Sequence, residues 1–365
     1  MYKNKSIAVV VPAYNEEIQI KLVIDQMPDY VDRIIIVNDC STDQTAQVVQ
    51  NYLIDSDKRP LLNPKSLIEE SVYSQADIMI QKLNAEEINY FAPSEVVNAD
   101  EDNDRIILIN NLVNTGVGGA IARGYKWCKD HEIDCTAVMA GDAQMDPAEL
   151  IDIISPVVEE NVDYVKGNRL KHPTASLIVP RTRFFGNATL SILTKIASGY
   201  WHISDTQTGF TAISKSALNQ IKLYKIYKRY GMPNDLLVRL NIASCSLKEV
   251  GIKPIYNVGE QSKMRPMRVI PSISWLLLRS FGRRLWVKYL FRDFHPLFLL
   301  YNLGFLLLTA FIPVLLYMIP IIFRPGESVS ISVMFIAAFL LITGLQSLFF
   351  AMWMDIGDNQ KLYKY

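Results

Sequence analysis

Two long stretches without a charged residue, Leu297–Phe323 and Val329–Met354, constrain this chain more than any other feature. At 1.5 Å per residue each is about 40 Å long as a helix, enough to cross a bilayer with tilt. Arg324-Pro325-Gly326-Glu327 makes a tight turn between them, so together they read as a transmembrane hairpin. A hydrophobic content of 50% and a mean hydropathy of +0.13 agree with this, being high for a soluble protein.

The approach to the hairpin is basic. Gln261–Pro296 carries eight bases against one acid, in a chain whose formal net charge is zero. Arg265, Arg268, Arg279, Arg283, Arg284, Lys288 and Arg292 are interleaved with Trp275, Leu276, Leu277, Phe281, Leu285, Trp286 and Phe291. Basic residues on one side with Trp and Leu on the other describe an interfacial amphipathic helix or helix pair. A nucleic-acid surface would use the same charges, but the uncharged runs that follow decide for a membrane and against nucleic acid. The positive-inside rule then puts the large N-terminal body in the cytoplasm. Two spans return the tail, 355–365, to that side, so the reading is a multi-pass membrane protein with both termini cytoplasmic.

Ahead of the membrane region the chain alternates buried strands with helices. Ile7–Val11 and Arg33–Val37 are β-branched runs suited to parallel strands, each breaking into a polar loop that opens a helix (Glu16 to Met27, Gln44 to Tyr52). Strand, loop and helix repeated in this way begin a doubly wound α/β sheet. Asn51–Asp104 interrupts the rhythm with twelve acids against four bases and one plausible helix near Ser66–Leu83, and reads as an acidic insertion. Arg105–Ile109, Thr136–Met139 and Asp163–Asn168 resume the sheet. Further strands are expected entering from Ser204–Ser214, and near Leu247–Val250 and Lys253–Tyr256, with a helix over Tyr230–Ile242. The run Ile7–Pro12 is too short for a signal-peptide core. The scattered cysteines, Cys40, Cys128, Cys135 and Cys245, form no metal spacing and read as thiols in a reducing compartment.

Thr136–Pro147 is the stretch where chemistry is expected. Its loop leaves the carboxyl end of a strand, where ligands collect in open α/β sheets. Asp142 and Gln144 offer a carboxylate and an amide oxygen two residues apart, a pair suited to a hard divalent cation holding nucleotide phosphates. Asp146, followed by Pro147 and Glu149, reads as a helix cap. In Asn114–Tyr125, GVGG lacks the dinucleotide-binding spacing, so its glycines read as sites of close helix approach to the sheet or to a ligand.

The order PAYNEE, IIIVNDCSTDQT, NTGVGGAIARGY, MAGDAQMDPAEL, GNRL and DTQTGF resembles glycosyltransferase family 2. Within it, the chain is similar to membrane-attached enzymes that move a sugar from a nucleotide to a polyprenyl phosphate. The resemblance covers Ser6–Asn51 and Ile106–Lys263 and implies a GT-A-like doubly wound sheet. It also implies that Pro12, Tyr14, Glu16, Val37 and Asp39 form the nucleotide pocket, with Asp39 accepting from base or ribose donors. Read alone, Asp39 would serve equally as an Asx-type turn before a helix.

The family's common Asp-x-Asp-x-Gln is thinned here, Ala140 standing where the first aspartate is expected. Asp142 and Gln144 are left to hold Mg²⁺ or Mn²⁺, with Asp142 also catalytic. Arg169 is implied to face phosphates, its bland alternative being a surface charge. Asp205 and Asp235 fall where acceptor-side acids occur, with a cap and a turn as the alternatives. Lys263 and Arg265 match a basic loop that closes over the donor, or else simply begin the membrane-facing stretch.

The organisation read from sequence is a catalytic body over 1–260, basic juxtamembrane helices over 261–296, two spans within 297–354, and the tail. The activity implied is inverting transfer from a nucleotide sugar to a polyprenyl phosphate. A hydroxyl acceptor and a non-catalytic membrane scaffold are the rivals, and a homo-oligomer is left open. A processive polysaccharide synthase would have more spans and a QxxRW signature, and a nucleotidyltransferase would open on a glycine-rich loop where this chain has PAYNEE.

Overall fold

The computed structural model describes residues 1–54, 57–60, 71, 73–173, 181–255, 266–324 and 327–365, with the side chains of 181–189 and 266–269 outside that description. The first half runs β1 (Ile7–Ala13), α1 (Gln19–Asp25), β2 (Arg33–Asn38), α2 (Thr45–Ile54), α3 (Gln75–Glu86), β3 (Ser94–Val96), β4 (Ile106–Asn111), α4 (Val117–Asp130) and β5 (Cys135–Val138). There follow α5 (Leu150–Glu159), β6 (Tyr164–Asn168), α6 (Arg181–Ser198), β7 (Thr211–Ser214), α7 (Lys215–Gln220), α8 (Met232–Ile242) and β8 (Leu247–Gly251). The C-terminal part is α9 (Pro266–Trp286), α10 (Pro296–Ile322), α11 (Ile331–Gln360) and β9 (Tyr363–Lys364).

These strands form one nine-stranded sheet in the order β3-β4-β2-β1-β5-β7-β6-β8-β9. β4, β2, β1 and β5 are parallel, and their β-branched runs are buried on both faces. β7 runs antiparallel to both β5 and β6, so the sheet is mixed. Helices α1, α2 and α5 cover one face and α4, α7 and α8 the other, which is the doubly wound arrangement expected. Chain order runs outward from β1 to β2 and β4, then returns across β1 to β5. The switch point between β1 and β5 opens a crevice at the strands' carboxyl ends.

The insertion decorates one edge. α3 buries none of its residues, whereas β3 pairs antiparallel with β4. The buried Arg33 guanidinium fastens the insertion by donating to the carbonyls of Arg59 and Asp102. The helix expected near Ser66–Leu83 is described from Gln75 to Glu86, its first part lying outside the described residues. No strand forms over Lys253–Ile255, where the chain passes the end of α5 with Lys253 N donating to Glu149 Oε1 at 2.9 Å; Tyr256 lies outside the described residues.

α10 and α11 are long and apolar enough to cross a membrane, and their apolar windows are almost entirely exposed. They pack closely where a Cβ on Gly304 would stand 3.1 Å from the Gly344 carbonyl, small residues letting the two backbones approach. α9 is amphipathic, but not by the expected division of charge. Ile273, Leu277, Phe281 and Leu285 face inward and Trp275, Leu278 and Trp286 outward. Arg284 and Lys288 also turn inward. Arg284 and Asp355, both 0% exposed, form a two-pronged ion pair at 2.7 and 2.8 Å. Lys288 reaches Asn359 Oδ1 at 2.6 Å and Asn241 Oδ1 at 3.1 Å, and Tyr289 donates to Asp355 at 2.8 Å. Residues 355–365 are therefore not a free tail. They end α11 inside this polar cluster and return to the sheet as β9, parallel to β8.

Candidate active site

At the switch point, Gly141 N donates to the Pro12 carbonyl at 3.2 Å, and a Cβ on Gly141 would stand 3.1 Å from that same oxygen. Glycine lets the loop after β5 lie against the end of β1, which sets Asp142 beside Pro12 and Ala13. Asp142 and Gln144 are partly exposed. They are tied by Gln144 N to Asp142 Oδ1 at 3.1 Å, across Ala143 at φ 57°. Among the described residues no three His, Cys, Asp or Glu gather as a metal cluster. Asp146 is a cap, accepting from Ala148 N at 2.9 Å and pairing with Lys253 at 3.2 Å.

The loops after β1 and β2 lock into each other. Asn15, at φ 55°, donates its N–H to Ser41 Oγ at 3.0 Å and accepts from Thr42 N at 2.8 Å. Glu16 N donates to Thr45 Oγ1 at 2.9 Å, and Glu17 and Asp43 exchange contacts with the opposite loop. Tyr14 is left exposed at the rim. Val37, by contrast, is fully buried in the core with Val10, Ile35 and Ile109. It has no surface to offer a ligand, and that expectation is corrected.

Asp39 is 3% exposed and organises the start of α4. Its Oδ1 accepts from Asn111 Nδ2 at 2.8 Å, Thr115 N at 2.8 Å and Thr115 Oγ1 at 2.7 Å, and its Oδ2 accepts from Gly116 N at 2.7 Å. Only Oδ2 keeps a lone pair for a further donor. Gly116, at φ 77°, and Gly118 meet the backbone of Tyr227 and Lys228, whose Lys228 carbonyl accepts from Gly118 N and Gly119 N at 2.9 and 3.2 Å. The glycines of GVGG thus admit a neighbouring protein segment, and Gly124 admits Val10 of the sheet.

Arg169 and Asp205 are brought together, and with each other. Arg169 Nε donates to Asp205 Oδ2 at 2.8 Å and Nη2 to Oδ1 at 3.0 Å, a fork-to-carboxylate pair. Burial pushes the Asp205 carboxyl up, but the hydrogen bond and charge of Arg169, with Lys166 behind, outweigh it and hold it below the usual range. Lys166 is wholly buried, which brings its ammonium down to about 8, and it donates to the Thr208 carbonyl.

Asp235 is turned inward, 2% exposed, with Oδ2 accepting from Arg239 Nε at 2.6 Å and Tyr227 N at 3.0 Å, and Oδ1 from Arg283 Nη2 at 3.0 Å. A carboxylate so committed joins the body to α9 and has no face for an acceptor. Lys263 and Arg265 lie outside the described residues.

Two polar residues at this end of the sheet have no counterpart in the sequence reading. Lys166 and Glu249 each sit at a buried position of a strand, Glu249 on the same face as Leu247. For Glu249 the signal is a charge on the inward side of a period-2 strand, and for Lys166 a charge inside a strand buried on both faces.

A doubly wound sheet with polar side chains gathered at its switch point places the chain among α/β proteins whose ligands collect at the strands' carboxyl ends. The family model "Glycosyl transferase family 2" matches residues 8–65 and 93–222, and the chain belongs to that family. The unmatched gap, 66–92, falls inside the acidic insertion. The chain is 30% identical over 254 residues to UDP-N-acetylglucosamine–dolichyl-phosphate N-acetylglucosaminyltransferase of Methanococcus voltae, covering 69% of this chain and 87% of that one. It is 24% identical over 274 residues to dolichyl-phosphate beta-glucosyltransferase ALG5A of Trichomonas vaginalis, covering 71% and 68%. Among solved structures, glucosyl-3-phosphoglycerate synthase from Mycobacterium tuberculosis aligns over 77% of this chain and 80% of that one, at 17% identity and a TM-score of 0.45.

Proposed function

We propose that this glycosyltransferase moves a sugar from a nucleoside-diphosphate sugar to a polyprenyl phosphate at a membrane surface, with inversion. A phosphate oxygen of the lipid attacks the anomeric carbon as the bond from that carbon to the diphosphate breaks, and the nucleoside diphosphate departs. Because the acceptor oxygen is already ionised near neutral pH, no strong base is required.

The observation that carries this reading is the return of the chain to the sheet as β9 directly beyond the second apolar helix. It builds the crevice and the membrane hairpin into one folded unit, so a headgroup phosphate and a soluble nucleotide can meet. The names of the relatives support the same donor and acceptor classes. The exposed Arg279 and Arg292 favour a cytoplasmic body.

In this reading Pro12, Tyr14 and Glu16 line the nucleotide, and Asp39 offers Oδ2 to it while holding the start of α4. Asp142 and Gln144 fit Mg²⁺ or Mn²⁺ as a sparse site, since such ions take one or two protein oxygens and complete their shell with water and substrate phosphates. When bound, the cation would supply positive charge to the departing diphosphate. Arg169, oriented by Asp205 through Nε and Nη2, presents its guanidinium to an incoming phosphate, whose geometry the planar group matches. Lys263 and Arg265, outside the described residues, are assigned to the donor phosphates on the family resemblance. Asp235 serves as a joint.

The test is incubation of membranes containing the protein with radiolabelled nucleotide sugars, followed by lipid extraction. Acid-labile label in the lipid fraction is the expected result. Ala140 gives the scaffold rival its one foothold, and calorimetry with UDP- and GDP-sugars with and without Mn²⁺ separates the two. A scaffold would show no metal-dependent binding.

A further inference from the structure

The last strand of the chain ends in the network that supports the acceptor side. β9 pairs with β8, and Leu247 N donates to the Leu362 carbonyl at 2.7 Å. Tyr363 is buried, and β9 lies directly beside the strand that carries Glu249. Glu249, 5% exposed, accepts from Ser204 N at 2.9 Å and Asp205 N at 3.1 Å through Oε1, and from Asn168 Nδ2 at 2.9 Å through Oε2. One carboxylate therefore holds both the loop carrying Asp205 and the residue immediately before Arg169. Both Glu249 and Tyr363 lie beyond residue 222, where the family match ends.

We propose that Glu249 is a positioning residue for the Arg169–Asp205 pair, and that the C-terminal strand, by pairing with β8 at Leu247 and Lys248, holds the strand that carries Glu249 in place. The acceptor side is then complete only after the chain has passed through both apolar helices and rejoined the sheet. Glu249→Gln turns one of the two accepting oxygens into a donor, so either the Ser204 and Asp205 N–H groups or Asn168 Nδ2 are left facing an N–H, and that side of the network moves. Arg169 takes its orientation from Asp205, so a shift of that loop is passed to the guanidinium.

This inference rests on the reading that Arg169 and Asp205 face the acceptor phosphate. It is tested on the full chain in detergent with the variants Glu249→Gln and Tyr363→Ala. Transfer kinetics are measured with UDP-sugar and polyprenyl phosphate, and amide hydrogen exchange by mass spectrometry. Glu249→Gln should lower kcat about tenfold or more, since small misplacements near reacting groups cost that much. UDP affinity should stay within about twofold of wild type, the Asp39 loops sharing no partner with Glu249. Both variants should speed exchange across Ser204–Thr208 and leave Asp39–Gln44 unchanged. Wild-type kcat together with wild-type exchange at Ser204–Thr208 in both variants would overturn the proposal and leave β9 as a simple cover for the sheet edge. If wild type itself transfers no sugar to the lipid, the functional reading fails, and the exchange readout still decides the positioning. Tyr363→Ala removes the buried ring that seats β9 beside β8, and carries the test should Glu249→Gln not fold.

Discussion

Arg283, on the juxtamembrane helix, donates to Asp235 at 3.0 Å, and Asp235 in turn accepts from Tyr227 N at 3.0 Å. The next residue, Lys228, uses its carbonyl to cap the start of α4, whose other partner is Asp39. A continuous set of hydrogen bonds and one short peptide segment thus link α9 to the loop that carries Asp39.

Asp235→Ala leaves Arg239 and Arg283 without their shared carboxylate, and breaking a buried pair in this way costs about 3 kcal/mol. Denaturant unfolding in detergent measures it. Asp235→Asn should keep kcat within about threefold of wild type per folded molecule, whereas loss of a general base would cost a hundredfold or more, roughly. A loss of that size at unchanged stability would restore Asp235 to a catalytic role.

Metal binding should follow the carboxylates of the loop after β5. Asp142→Ala is expected to abolish Mn²⁺-dependent UDP binding, because Gln144 alone offers only an amide oxygen. Ala140→Asp adds a second carboxylate to a partly exposed position and should tighten Mn²⁺ by about tenfold, read by calorimetry. Unchanged metal affinity in both variants would remove the ion from this loop.

Thiol chemistry reports on the nucleotide pocket without any assay of transfer. Cys40 is exposed next to Asp39, whereas Cys128, Cys135 and Cys245 are buried. Burial pushes Cys128 and Cys245 up to about 12, and Cys135 is also raised. At pH 8 the native protein should take up iodoacetamide at Cys40 alone, and UDP-sugar should slow that reaction. Mass spectrometry locates the adduct, and labelling indifferent to nucleotide would place the donor elsewhere.

The Arg284–Asp355 pair fastens the end of the second apolar helix to the body. Asp355→Ala should destabilise the protein by about 4 kcal/mol, because it strands a fully buried guanidinium. Replacing both partners, Arg284→Met with Asp355→Leu, should recover most of the loss. Thermal unfolding of the three variants in one detergent tests this, and equal losses in single and double variants would contradict it.

Lys166 gives a pH dependence of definite sign. Its ammonium, near 10.5 when unfolded, falls to about 8 in the fold because burial disfavours the charge. Between these values the unfolded chain binds the extra proton, so stability rises with pH across that window. Buried thiols and tyrosines act oppositely, so the quantity to measure is wild type relative to Lys166→Met. That difference should move in favour of wild type between pH 8 and 10.5, by on the order of 3 kcal/mol. A flat difference would show that Lys166 stays charged in the fold.

Much of the fold was legible in advance because its signals are local. Ile7–Ala13 and Arg33–Asn38 are β-branched runs that only a doubly covered sheet can bury, and each breaks into polar residues where its strand ends. Asp146 and Pro147 announce their helix by capping chemistry that needs no tertiary partner. Strand order was less legible. Nothing in Thr211–Ser214 says that it will run backwards between β5 and β6, since register and direction depend on neighbours far away in sequence.

The candidate site divides along the same line. Residue types and their order announce a phosphate-handling crevice, because carboxylate, amide and guanidinium chemistry is carried by the side chains themselves. What each group is free to do depends on partners supplied by distant segments. Asp235 reads as an open acid in isolation and is committed by Arg283, 48 residues on. Arg284 and Lys288 read as lipid-facing charges and are claimed by the end of α11. Glu249 has no signature beyond its parity in a strand, yet it holds both the loop carrying Asp205 and the end of β6, from a strand that pairs with the last one.

By itself the sequence determined the α/β body, the two apolar spans and the family chemistry, since periodicity, hydropathy and side-chain type act over a few residues. Tertiary structure alone decided which charges stay available to a substrate and which become internal ties. A buried charge must find a partner, and that partner is chosen by the packing of elements that meet only in the folded chain.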